Sequence, residues 1–312
     1  MYKKSVFARS FAILLISCIF CSILSGCGSS SKSSSSEPPV YSPLRVLVPE
    51  APGSDTLGSS PLTLDVSNIT QGYFAAQSDS ADLVTSLQIT APTGVLYSYF
   101  IEPGENAVIP FTEGDGDYTV VGYQQIQGDQ YAALYSETLT VELENEFLPF
   151  LYPNQYVNFS PDSEASKLAL SMVSEDTSDI DALKQIYNYV VNNLSYDYDK
   201  AETVETGYLP DVDETLSTKT GICFDYAALT TAMLRSCDIP CKLQIGYTGD
   251  IKHAWIDVYI RSKGWVTNAV SFNGDSWSLM DPTFDSSADS DDSEAIQDYI
   301  GNADNYTVQF TR

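Results

Sequence analysis

A single histidine, His253, occurs among 312 residues. Any imidazole-based proton transfer near neutral pH must pass through that one side chain. Positive charge is scarce too: 15 Lys and Arg stand against 42 Asp and Glu, for a formal charge of −27. Nucleic acid is thereby excluded as an expected partner, because phosphate binding needs clustered Lys and Arg. The imbalance suits basic or neutral substrates or a cation-rich exterior, and in its simplest reading gives only solubility. Six cysteines in the whole chain do not make a disulfide scaffold. After residue 26 no apolar run reaches the roughly 18 residues of a membrane span.

The first 26 residues read as a targeting segment. Lys3, Lys4 and Arg9 precede a short apolar run, Phe11 to Leu24. The run ends in Leu24-Ser25-Gly26-Cys27, which resembles the bacterial lipobox. That resemblance implies cleavage before Cys27, acylation of its thiol, and an extracytoplasmic protein lipid-anchored to the bacterial cell membrane. Two or more acyl chains hold a protein stably where one does not. A plain signal peptide or an N-terminal anchor helix is the alternative. Loss of residues 1–26 removes three positive charges and leaves −30. Residues 27–40, with "GSSSKSSSSEPP", form a Ser-rich linker whose composition cannot offset its own ordering entropy.

The texture changes near residue 150, so the expected organisation is a β-domain at 41–148 and a second domain at 149–312. "PLTLDVSN", "SLQITAP", "VLYSYFIEP", "NAVIPF", "DYTVVGYQQI" and "YAALYSETLTVEL" read as short strands. "TEGDG" and "QGDQ", between the last three, read as hairpin turns. This spacing, without a helical period, predicts an all-β, immunoglobulin-like sandwich. From 160 the period becomes helical. Ser160-Pro161 marks a helix start. Ile180, Leu183, Ile186, Tyr187, Val190, Val191 and Leu194 repeat at helical spacing behind a Ser178/Asp181 capping pattern. "CFDYAALTTAMLRSC" is a third helix, preceded by Gly221 and stopped by Ile239-Pro240. Strands are expected at 242–248, 252–260, 264–270 and 276–280, with a closing strand at "YTVQF". Helices followed by antiparallel strands give an α+β domain.

Cys223 opens the third helix. Peptide N–H groups in a first helical turn are unpaired and carry partial positive charge. A thiol there ionises more readily, and the thiolate is the nucleophile. The same groups can stabilise an oxyanion beside the sulfur. By position alone, a buried small side chain is an equal reading. His253, in a strand 30 residues on, can take the thiol proton. A core histidine is the alternative. Asp281, before Pro282, can hold the far imidazole nitrogen, or be a turn residue.

Taken together, "TGICFDYAALTTAMLRSCDIPCKLQIGY", "HAWIDVYI" and "WSLMDPTF" resemble the three blocks of the transglutaminase-like core. The resemblance covers about residues 160 to 285 and implies a papain-like α+β fold with a Cys223–His253–Asp281 triad. Such a triad needs no cofactor, and none is expected. The implied activity is acyl transfer on protein or peptide carboxamides through a thioester. The outcome is crosslinking, deamidation or cleavage. The rival expectation is a non-catalytic surface binding or scaffold lipoprotein on a retired enzyme fold. Asp238 stands where the family pattern has Gly before Ile-Pro, so the helix stop must be built differently. An insertion near "RSKGWVTNAVSFNGDS" separates the His and Asp strands. Tyr196, Tyr198 and Tyr208 are candidates for the second oxyanion donor by position only.

Cys237 and Cys241 form a C-x3-C pair across a helix end. Zinc would need two further ligands; a disulfide is open to them outside a cell; burial as small residues is the simplest expectation. "DSSADSDDSEA" at 285–295 lacks the ligand spacing of an EF-hand and reads as a solvated loop. Oligomeric state is not legible.

Overall fold

Eight strands alternate buried and open positions along the first half of the chain. They are β1 (Thr56–Ser59), β2 (Leu62–Asp65), β3 (Tyr73–Ser78), β4 (Thr85–Thr90), β5 (Leu96–Ile101), β6 (Asn106–Pro110), β7 (Gly116–Gln127) and β8 (Gln130–Val141). The structure, a computed structural model, describes residues 46–267, 270–272, 277–279 and 306–312. Cys27, the segments 1–26 and 27–40, Asp281 and the 285–295 loop lie outside the described residues. The described residues fall within one compact unit, Ser36–Arg312.

The strands form two antiparallel four-stranded sheets, ordered β1-β2-β3-β6 and β5-β4-β7-β8. Alternation buries Leu62 and Leu64 from β2, Leu87 and Ile89 from β4, and Tyr97, Tyr99 and Ile101 from β5. These meet Phe74, Ile109, Phe111 and Val120 in one core drawn from both sheets. Each such side chain contributes roughly 1.5–3 kcal/mol on burial. Two strands, β1 and β3, have no counterpart in the sequence expectation. "YFAAQS" of β3 carries two alanines and no clean alternation. One turn is also reassigned. "QGDQ" does join the β7–β8 hairpin, but "TEGDG" joins no hairpin. It carries the chain from β6, paired with β3, to β7, paired with β4 and β8. A Gly-rich turn fixes where the chain reverses, not which sheet receives the next strand.

The second half begins with α1 (Glu164–Met172), α2 (Asp179–Asn193), the two-residue β9 (Ser195–Tyr196), α3 (Tyr198–Thr203), α4 (Val212–Thr218), β10 (Thr220–Gly221) and α5 (Cys223–Ser236). Helix α1 starts three residues later than Pro161 suggests. Ser160 and Pro161 belong to a turn, in which the Ser160 N–H donates to the Ser163 hydroxyl at 3.0 Å. Ser178 caps α2 as expected, accepting from the Asp181 N–H at 3.2 Å. The last sheet follows: β11 (Cys241–Thr248), β12 (Ile251–Ile260), β13 (Gly264–Val266), the separate hairpin β14 (Val270–Phe272) and β15 (Trp277–Leu279), and β16 (Tyr306–Thr311). Its order is β13-β12-β11-β16. The β11–β12 turn is the two residues Gly249 and Asp250, with Gly249 at φ +56°.

Helix α5 is apolar nearly all round because it is covered on every side. Tyr226, Ala227, Leu229, Ala232, Met233 and Leu234 share a core with Ala182, Ile186 and Val190 of α2 and with Leu243, Ile256 and Val258 of the sheet. At its C-terminal end, Arg235 is fully buried. Its guanidinium donates to the Cys241 carbonyl at 3.0 and 2.8 Å, to Tyr152 O at 2.8 Å and to Arg312 O at 2.9 Å. Burial lowers its pKa to about 10. Asp238 answers the missing glycine by adopting φ +59° itself. Aspartate enters that left-handed region more easily than most residues. The Ile239 N–H then donates to Leu234 O at 3.1 Å, closing the helix as a glycine would.

Candidate functional site

The N-terminal end of α5 is built by Asp225. Its carboxylate turns back to accept the Ile222 N–H at 2.8 Å. Ile222 has no side-chain oxygen to return the bond, so this is half of a capping box. Tyr226 makes the first helical bond, to Ile222 O at 3.1 Å. The N–H groups of Cys223, Phe224 and Asp225 therefore belong to the open first turn, at the positive end of the helix dipole. Cys223 is half-buried with a free thiol. Gly221 is required two residues earlier: a Cβ there would lie 2.6 Å from the Cβ of Asp225. Only glycine permits that approach.

Asp225 is fully buried and has two further donors. Lys200 Nζ of α3 donates at 2.8 Å, and the Tyr208 hydroxyl donates from the α3–α4 connection. Lys200 also donates to the Tyr208 oxygen at 2.7 Å. Burial alone would push the Lys200 ammonium down, but the bonds to Asp225 and Tyr208 outweigh it and hold it above the usual lysine range. Burial, reinforced by the adjacent carboxylate, pushes the Tyr208 phenol up to about 12. Among the three tyrosines singled out by position, Tyr208 is thus committed to Asp225. Tyr198 is exposed, and Tyr196 is half-buried with its ring 4.9 Å from Tyr198 and 6.5 Å from Tyr226.

His253 lies near the start of β12, opposite Gly246 of β11. It is buried, its ring stacked 6.2 Å from that of Trp255 and tilted 6.3 Å from that of Tyr306. Gly246 is held to glycine by contact, since a Cβ would fall 1.9 Å from Thr307 O of β16. Alternation along β12 gives Ala254, Ile256 and Val258 to the core shared with α5, and His253, Trp255 and Asp257 to the intervening positions. Helix α5 packs on both β11 and β12. At one end Arg235 grips Cys241, which pairs with Val258. From Val258, His253 is about 17 Å back along the strand; from Arg235, Cys223 is about 18 Å back along the helix. Cys223 thus opens the helix that packs on β12, and His253 stands on that strand at a position alternate to those that face the helix core. Asp281, the third expected member, lies outside the described residues.

The remaining thiols are of another kind. Cys237 and Cys241 are buried and unbridged. Burial pushes both up to about 12. The simplest expectation for them, small buried residues, matches this placement. The sequence reading missed Lys200: Asp225 stood in a quoted block, but its cation is 25 residues away and on another helix.

Residues 166–282 match the model of the transglutaminase-like superfamily. The UPF0252 protein MJ1282 of Methanocaldococcus jannaschii is 40% identical over 62 residues, covering 18% of this chain and 18% of its own. The uncharacterized protein YebA of Bacillus subtilis is 24% identical over 183 residues, covering 51% of this chain and 25% of its own. The chain thus spans a quarter or less of these curated relatives. A solved structure described as a candidate cysteine protease from Cytophaga hutchinsonii aligns over 77% of this chain and 79% of its own, at 17% identity and a TM-score of 0.37.

Proposed function

The chain carries a transglutaminase-like domain at residues 166–282, and from this premise we infer that it is an exported cysteine acyl-transfer enzyme. One observation carries the reading. A half-buried free thiol stands in the open first turn of a helix that packs on the strand holding the only histidine. Cys223 is the nucleophile, His253 its proton carrier, and Asp281 the group that orients the imidazole.

His253 takes the Cys223 proton, and the sulfur attacks the carbonyl carbon of a side-chain or peptide carboxamide. The oxyanion that forms lies near the first-turn N–H groups of α5. The C–N bond then breaks as the imidazolium gives its proton to the departing amine, leaving a thioester on Cys223. Water or a second amine, deprotonated by His253, attacks the thioester and releases the thiolate. Water gives deamidation or cleavage, and an amine gives a crosslink. The paired sheets of β1 to β8 serve as an immunoglobulin-like sandwich that spaces the catalytic half from its anchor or binds a partner. Cys27 carries that lipid anchor.

Peptide libraries incubated with the full chain and read by mass spectrometry test this. A gain of about one dalton marks deamidation, loss of ammonia with joining marks a crosslink, and shortened chains mark cleavage. Each product is expected to vanish in Cys223→Ala. Indistinguishable spectra from the two proteins would favour the surface-binding reading instead.

A further inference from the structure

Resting on that reading, we propose that Lys200 is a positioning residue for the nucleophile: it neutralises the buried Asp225 carboxylate that would otherwise oppose a thiolate at Cys223. The helix places the two Cα atoms about 5 Å apart. Asp225 cannot swing away, because its oxygens hold the Ile222 N–H, Lys200 Nζ and the Tyr208 hydroxyl, and Gly221 packs on its Cβ. The carboxylate secures the capped helix start and yet adds a negative charge two residues along the first turn from Cys223. Its side chain is fully screened from water, so solvent does little to weaken that charge. Lys200 alone among the described lysines and arginines donates to it.

Other groups around this helix end are Tyr208, Tyr196 of β9, Asp197, Tyr156 and Tyr226. Asp197 is turned to the Lys200 N–H, which donates to it at 2.9 Å. The Asp197 N–H donates to Gly221 O at 2.9 Å, which fixes α3 against the start of α5. The rings of Tyr156 and Tyr208 lie 6.2 and 6.3 Å from Phe224. Tyr208 is a neutral donor to Asp225 and cannot replace a cation.

The test is the rate of Cys223 alkylation against pH in the full chain, read at that site by peptide mass spectrometry. In Lys200→Met the curve is expected to move up by about one pH unit, a roughly tenfold slower labelling at acidic pH. Lys200→Arg should keep most of the wild-type curve. The double variant Lys200→Met/Asp225→Asn should return toward wild type, although it disrupts more contacts than the single one. A Lys200→Met curve that overlays wild type, or a double variant that stays shifted, overturns the proposal. Circular dichroism on each variant separates loss of fold from loss of charge balance. A wild-type Cys223 that labels no faster than an exposed model thiol would overturn the nucleophile reading, while the displacement between wild type and Lys200→Met still decides this one.

Discussion

The two ends of α5 lie about 20 Å apart and solve opposite problems. At the Cys223 end the first-turn N–H groups stay open, the thiol is half-buried, and the one buried charge is neutralised by a lysine from another helix. At the Arg235 end everything is closed. A buried guanidinium satisfies three carbonyls, two thiols are sealed, and an aspartate in the left-handed region stops the helix. The lesson is that one helix can be fixed rigidly at its far end so that its near end need not be filled. A site placed on a rigid element keeps its geometry without extra packing around the reactive atom.

The comparison is broken most easily by reagent access. Iodoacetamide should label Cys223 in the native protein at least about a thousandfold faster than Cys237 or Cys241, which become accessible only on unfolding. Equal labelling of all three would erase the difference between the ends. The next largest effect is Arg235→Met, which leaves three buried carbonyls without their donor. It should cost about 3–5 kcal/mol in urea unfolding, with Arg235→Lys recovering only part. Gly221→Ala is expected to cost about 1–3 kcal/mol by forcing a Cβ against Asp225, and to slow Cys223 labelling as that carboxylate shifts. Asp238→Gly should change little, raising stability by at most about 1 kcal/mol, since Gly takes the left-handed conformation without strain but loses more entropy on folding.

Alkali sharpens the same contrast. Cys237 and Cys241 hold their protons more tightly folded than unfolded, as does Lys200. At these groups the unfolded chain therefore binds fewer protons at high pH, and their contribution to stability falls as pH rises. The thiol contribution is whole below about pH 8.5, the unfolded cysteine value, and is lost as pH climbs toward 12. The lysine contribution begins to go above about pH 10.4. Thermal melts across pH 8 to 11 should show the decline, and Cys237→Ala should flatten its first part.

Much of this was legible in the chain itself. The Ser178 cap, the helical repeat of α2, the helix that opens at Cys223 and the β11–β12 hairpin follow from period and turn chemistry, which are local. The block around Cys223 and the strand of His253 could be located for the same reason. What escaped were relations between distant segments: which sheet β6 and β7 each join, the short helices α3 and α4, and the pairing of Lys200 with Asp225.

The sequence by itself determined where α2, α5 and the β11–β12 hairpin lie, that a cysteine opens a helix, and that one imidazole must serve the whole chain. Those depend on neighbours three or four residues apart. Only the tertiary structure decided that Asp238 can stop α5 in place of glycine, that Arg235 is a buried clamp and not a surface charge, and that a lysine from α3 faces the Asp225 carboxylate in the first turn of α5. Burial, charge pairing and close backbone approach are set by what lies across space. No pattern along the chain encodes the partner of a group until the fold brings it within about 3 Å.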